Sequence, residues 1–315
     1  MTMLHITNGD AAGDLLRTLA IGDVLCWRDV LHDGPVPAGL PLPELSAIRA
    51  RFIAERLWGP EEEIARELAE RDAALAGCGA RDEVVLWFEH DLYDQLQLIQ
   101  LLDWFAANGG PRLSLVCGAE YLGTSEPARL AERFGQRSPV SADQLALGAA
   151  AWAAFRSPDP TAIITLLEDD TVELPYLADA LARHLEQFPS TANGLSRSEQ
   201  QALQVMAGGA ATLKEAYLAS HHALEDPIWL GDASFFGYVE DLAGGEHSLV
   251  DLGPGERHDG SRTVALTDAG RAVLEGRQDR VRLNGIDRWL GGVHLHGREA
   301  AWRWDASART LVPGG

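Results

Sequence analysis

The chain predicts an α/β protein. A Rossmann-like, mostly parallel sheet domain is expected over residues 1–188, and a mainly helical, winged-helix-like module over residues 189–315. Three observations carry that expectation. Short apolar runs alternate with helical spacing through the first half, which implies right-handed parallel crossovers. Two capping-box sequences then open helices in the second half. A strand, a Gly-rich loop and a second strand follow those helices, which is winged-helix order.

Residues 4–7 read as the first strand, and 11–19 as a helix opened by Gly9 or Asp10. Residues 23–27 form the second strand. The runs Gly34-Pro35-Val36-Pro37 and Leu40-Pro41-Leu42-Pro43 predict a loop in which no regular element persists. Helical spacing resumes at 46–57 and 61–76, the latter stopped by Gly77 and Gly79. Glu83-Val84-Val85-Leu86-Trp87-Phe88 is an apolar run of strand length, as expected for a strand buried on both faces. A helix over 91–107 ends at Asn108-Gly109-Gly110-Pro111. A fourth strand over 112–117 and helices over 128–134, 141–155 and 174–188 complete this half.

The second module starts near Pro189-Ser190-Thr191-Ala192-Asn193-Gly194, a polar linker. Ser196-Arg197-Ser198-Glu199 and Thr212-Leu213-Lys214-Glu215 are the capping boxes. A third helix opens at Asp232 and turns Phe235, Phe236, Val239 and Leu242 inward. Strands over 248–252 and 263–266 flank the loop from Gly253 to Gly260, and Thr267-Asp268-Ala269-Gly270 starts another helix. Residues 291–304 alternate as one β-hairpin, with His294 and His296 on one face and Trp302 and Trp304 sharing a face of the partner strand. His294-x-His296 offers two metal ligands, but no third is placed beside them by the sequence.

The composition is that of a globular protein, and a formal charge of −21 opposes non-specific attraction to nucleic acid or anionic membrane. Residues 257–309 depart from that balance, with ten Arg against seven acids. Cys26, Cys78 and Cys117 are odd in number and far apart, so neither a disulfide framework nor a thiolate zinc site is indicated. The start of the chain lacks signal-peptide patterning and no run is long enough to span a bilayer, so a cytoplasmic protein without membrane attachment is expected.

Acid-rich segments stand just past three predicted strands. They are Asn8-Gly9-Asp10, Trp27-Arg28-Asp29, and Glu89-His90-Asp91-Leu92-Tyr93-Asp94-Gln95. In an open α/β sheet the carboxyl ends of the strands converge on one crevice, where ligands bind. Asp91, Asp94 and Gln95 share a face of one helical turn. With Asp10 and Asp29, four or five carboxylates are expected to meet, with Asn8, Arg28 and Gln95 as further ligand-binding groups. Oxygen-rich sets select hard cations such as Mg²⁺ or Mn²⁺, with Asp10, Glu89 and Asp91 as ligands. That set would support metal-assisted hydrolysis or phosphoryl transfer on a phosphate-containing or other small polar substrate, with His90, Asp91 and Asp94 as catalytic groups. Helix capping by Asp10 and Asp91 is the competing explanation. Arg28 is either an ion-pair partner of Asp29 or an anion clamp. Neither a Gly-x-x-x-x-Gly-Lys-Ser/Thr nor a Gly-x-Gly-x-x-Gly phosphate cradle is present.

The helix in the position of a DNA-recognition helix carries Asp232, Glu240 and Asp241 and no Lys or Arg. Base and phosphate contacts need basic and amide groups. Nucleic-acid binding is therefore disfavoured. The alternative to a ligand-binding function is a regulatory or adaptor protein whose second module docks a protein partner.

Four segments together resemble a bacterial family known by a domain of unknown function. They are Leu4-His5-Ile6-Thr7-Asn8-Gly9-Asp10, residues 27–35 (Trp-Arg-Asp-Val-Leu-His-Asp-Gly-Pro), Val85-Leu86-Trp87 through Asp94-Gln95, and residues 284–292 (Asn-Gly-Ile-Asp-Arg-Trp-Leu-Gly-Gly). The resemblance spans nearly the whole chain. It implies an N-terminal α/β domain and a C-terminal helical module, and it carries no activity with it.

Overall fold

The structure, a computed structural model, describes residues 2–314. The chain divides into two compact units: Met1–Leu181 with Gly291–Val293, and Ala182–Leu290 with His294–Gly315. The first contains β1 (Met3–Thr7), α1 (Asp10–Thr18), β2 (Asp23–Cys26), β3 (Gly34–Pro35), α2 (Leu42–Glu55), α3 (Glu61–Ala76), β4 (Glu83–Glu89), α4 (Leu92–Asn108), β5 (Arg112–Gly118), α5 (Pro127–Gly135), β6 (Ser138–Pro139), α6 (Ala142–Phe155) and α7 (Thr161–Glu168). Helix α8 (Leu177–Leu185) runs across the division.

The main sheet has the order β2-β1-β4-β5-β6. Its first four strands are parallel, and β6 closes the edge antiparallel to β5. The chain steps from β1 to β2 on one side, then returns past β1 to lay down β4 on the other. The reversal between β1 and β4 is a topological switch point, the position at which open α/β sheets form their ligand crevice. All seven residues of β4 are buried, which explains why it reads as an unbroken apolar run. Val85 and Trp87 join Ala12 and Leu16 of α1 and Leu130 of α5 on one face. The intervening Val84, Leu86 and Phe88 face the opposite side, and α4 packs against α6.

Helix α2 begins at Leu42, earlier than the proline runs suggest. Pro43 occupies its first turn, where the missing N–H has no intrahelical partner to lose. Helix α7 was not anticipated. Asp159 tethers its start, accepting from the N–H and hydroxyl of Thr161.

The second unit holds α9 (Arg197–Ala207), α10 (Leu213–Leu224), α11 (Asp232–Ala243), β7 (Val250–Leu252), β8 (Val264–Leu266), α12 (Asp268–Leu274), α13 (Arg280–Asn284), β9 (Ile286–Gly291), β10 (Val293–Gly297), β11 (Trp302–Asp305) and β12 (Thr310–Pro313). Three helices followed by the antiparallel β7–β8 pair give the winged-helix-like order. Ser196 and Glu199 form a complete capping box. The Thr212 box is half made, because Glu215 turns its carboxylate to the Ala211 N–H instead.

The expected hairpin over residues 291–304 is not formed. Strand β10 pairs with β9, and β11 pairs with β12. Turn chemistry decides this. Gly291, at φ +60°, and Gly292 supply the turn ahead of β10. Asp305 accepts from the N–H groups of Ser307 and Ala308 and so folds the turn after β11. Trp304 therefore sits opposite Leu311, not opposite a histidine. Among the described residues, no helix is long and apolar enough to cross a membrane.

Candidate functional site

Strands β1 and β4 deliver Asn8 and Glu89 to the switch-point crevice, and the first turn of α4 adds Asp91 and Asp94. Asp91 is the N-cap of α4, its Oδ1 accepting from the Asp94 N–H at 3.1 Å. The Glu89 N–H donates to Asp94 Oδ1 at 2.7 Å, and Asn8 Nδ2 donates to Asp94 Oδ2 at 2.7 Å. The Leu122 N–H donates to Glu89 Oε1 at 2.6 Å. One oxygen from each of Glu89, Asp91 and Asp94 lies within 4.8 Å of the other two, and all three side chains are buried.

Burial first, and then the neighbouring carboxylates, push these groups up. Asp91 is raised to about 8 by desolvation and by Glu89. Asp94 lies well above the carboxylate range through burial, Asp91 and Glu89. Glu89 is raised by burial, with the Leu122 N–H and the Arg133 guanidinium pulling the other way. At that separation two unit charges repel by ~3–4 kcal/mol at an effective dielectric of about 20. Three ionised carboxylates would thus cost ~10 kcal/mol, comparable to the whole stability of a domain. Burial and mutual repulsion therefore both disfavour the fully ionised cluster.

The other expected site residues are divided between the crevice and other partners. Gln95 lies in it, donating to the Glu89 carbonyl at 2.6 Å and to Cys117 Sγ at 3.6 Å. Burial raises the Cys117 thiol to about 12. His90 has ring contacts with Tyr121 and Tyr176, with centroids at 5.4 and 5.9 Å. Asp10 and Asp29 are not part of the three-carboxylate cluster. Asp10 is exposed and pairs with Arg28, and the helix cap expected of it falls to Gly9, with no side-chain hydrogen bond. Arg28, at φ +54°, pairs with Asp10 and reaches Glu67 at 3.7 Å, so Asp29 is not its partner.

Asp29 is buried in a separate network. Its Oδ1 accepts from Arg49 Nε at 3.0 Å, and Arg71 Nη1 stands 3.9 Å from Oδ2. Arg49 also donates to the carbonyls of Asp33 and Val30, at 2.7 and 2.9 Å. That guanidinium fixes the segment leaving β2. Arg49 was not anticipated as a contributor, although an arginine spaced four residues from Leu45 and from Ile53, both buried on the same helix, was a signal in the sequence. Tyr93 and Gln97 were missed too. Tyr93 donates to the Asn8 carbonyl at 3.3 Å, and Gln97 Nε2 to the Asp29 carbonyl at 3.2 Å. They stand four residues apart on α4 and so share a face of that helix, one turned away from the face of Asp91, Asp94 and Gln95.

In the second unit, Glu240 of α11 gathers the basic groups of the β7–β8 loop. Its carboxylate lies 3.1 Å from Arg257 Nε and 3.2 Å from Arg262 Nη1, and it accepts from the His258 N–H at 2.8 Å. A cleft of about 570 Å³ beside them also counts Asp241 and Asp251 among its lining residues.

No protein-family model and no curated protein matches the chain. One similar solved structure is that of the Aeropyrum pernix ORC1 protein in complex with DNA. It is 14% identical over 87% of this chain and 85% of that one, with a TM-score of 0.21, too low to support any inference.

Proposed function

We propose that the first unit binds a small polar or phosphate-containing ligand in the β1–β4 crevice with the help of a hard divalent cation. The observation that carries this is the meeting of three buried carboxylates at the sheet's switch point. Oxygens of Glu89, Asp91 and Asp94 would hold Mg²⁺ or Mn²⁺, and the ion would supply positive charge to a phosphate or carbonyl oxygen. Asn8, the Leu122 N–H and Gln95 hold the carboxylate framework in place. In a hydrolase or phosphoryl-transfer enzyme built on this site, His90 is the residue assigned to proton transfer.

Thermal unfolding with MgCl₂, MnCl₂ and phosphorylated metabolites, on the native chain and on Asp91→Asn, tests the proposal. A ligand of the native state raises the melting temperature by mass action. The expected result is a rise for the native chain that is absent in the variant. Equal rises in both would overturn the assignment.

A second reading, of a regulator or adaptor docking a protein through the second unit, is supported by Glu240. That acid engages the basic groups that a DNA-binding wing would present to phosphate.

A further inference from the structure

We propose that Asp287, His294 and His296 form a binding site for a borderline divalent transition-metal ion, with Zn²⁺ as its type, on the β9–β10 hairpin. The sequence supplies two imidazoles from one strand face, and the fold brings up the third ligand. His294 and His296 are both exposed, with ring centroids 5.8 Å apart. Asp287, on the neighbouring strand, lies with Oδ1 only 2.7 Å from His294 Nε2. Two donor atoms sharing one tetrahedral zinc at about 2.0–2.2 Å are themselves about 3.3–3.6 Å apart, so that pair reaches ligand spacing by opening less than about 1 Å. His296 completes the set by rotation of an exposed side chain.

The His294 ring is held for this purpose. Trp289 stacks on it with centroids 4.5 Å apart and planes within 2°. That contact limits the ring to sliding in its plane and keeps Nε2 directed at Asp287. Two imidazoles and one carboxylate select zinc, copper or nickel over Mg²⁺ and Ca²⁺, and leave a coordination position for water. Without the ion, the Nε2–H donates to Asp287. Binding at Nε2 moves the ring's proton to Nδ1, so His294 ligates the ion as a neutral imidazole. A carboxylate site also takes Zn²⁺, so dependence on the two histidines, not the metal's identity, separates this site from the carboxylate crevice.

Isothermal titration of the full chain with ZnCl₂ near neutral pH tests the proposal, run in parallel on His294→Ala, His296→Ala, Asp287→Asn and Asp91→Asn. All three proposed ligands are exposed, so the variants are expected to fold, and far-ultraviolet circular dichroism checks this. The expected result is micromolar binding of one ion lost on each histidine substitution, by roughly tenfold or more in affinity. Asp287→Asn should weaken it less, and Asp91→Asn should remove only zinc held by the carboxylate crevice, leaving the histidine-dependent binding in place. Cu²⁺ should bind more tightly and quench Trp289, seen as the quenching lost in Trp289→Phe. Absence of zinc binding by the native chain would overturn the site. So would unchanged affinity in either histidine variant, since a lone surface imidazole needs no partner.

Discussion

Asp91→Asn separates a ligand-binding carboxylate from a helix cap, because asparagine keeps the cap and removes the charge. The Asp91 Oδ1 acceptor for the Asp94 N–H survives as the amide oxygen, and Asn caps helices as well as Asp. In the metal-free protein, burial and Glu89 raise Asp91 to about 8. Its unfolded value is about 3.9. A group raised on folding contributes stability that is fully present below the unfolded pKa and is lost as pH rises through the folded one. The native chain should therefore weaken from about pH 4 to about pH 8, at up to 1.36 kcal/mol per pH unit. Fully expressed, that is ~5 kcal/mol. Three carboxylates share the strain, so neutralising one relieves part of it, and we expect the variant to gain ~2 kcal/mol at about pH 8 and ~0.5 kcal/mol at about pH 5. Urea unfolding in a chelator at several pH values measures this directly. Saturating Mg²⁺ or Mn²⁺ should reverse the order, since at 100 times its dissociation constant an ion adds ~2.7 kcal/mol to the native chain alone. A variant weaker than the native chain at every pH, with or without metal, would refute the electrostatic argument and leave Asp91 as a structural residue.

Three further outcomes follow from the buried charges. Glu199→Gln should cost ~3–5 kcal/mol at neutral pH by stranding Arg288 and Arg280, which lie 2.7 and 3.7 Å from its Oε1. Burial opposes the charge on Glu199, but Arg288 and Arg280 hold it down at about 2. Its stabilising effect is thus present above the unfolded carboxylate range and lost as pH falls towards 2, so the gap between native and variant in urea should close on acidification. Arg49→Met should cost a similar ~3–5 kcal/mol in urea unfolding, because it leaves Asp29 buried with Arg71 at 3.9 Å as its remaining cation. Glu240→Gln should change stability by less than ~1 kcal/mol, as its cations are partly solvated. It should nevertheless raise the affinity for random duplex DNA in a gel-shift assay. Retardation by the native chain equal to that by the variant would show that Glu240 does not restrain the wing.

Local periodicity makes most of the fold legible in the sequence. The β4 run is unbroken because parallel strands at the centre of a sheet are covered on both faces, and its length and position could be read directly. The Ser196–Glu199 box was legible for the same reason, since both of its hydrogen bonds close within four residues. Elements fixed by turns were harder. Alternation over residues 291–304 satisfies more than one strand pairing, and Gly291-Gly292 and Asp305 choose between them through backbone geometry that period-two patterning does not encode.

The carboxylate site divides along the same line. Glu89, Asp91 and Asp94 lie within six residues of one strand-to-helix turn, so their convergence follows from local geometry. Asp10 and Asp29 also stand at strand ends, but proximity of backbone is not direction of side chain. A left-handed residue at Arg28 turns its guanidinium to Asp10, and Arg49, twenty positions further on, draws Asp29 into the interior. Each of those acids found a cation, and the three in the crevice form none of the ion pairs found among the described residues. That contrast is itself informative. This chain has 26 Lys and Arg side chains with which to neutralise buried acid, and Arg49 and Arg71 are set against Asp29 and Asp72. A site where three carboxylates crowd together without such a pair relieves its repulsion by holding protons, and the proposed cation would take their place.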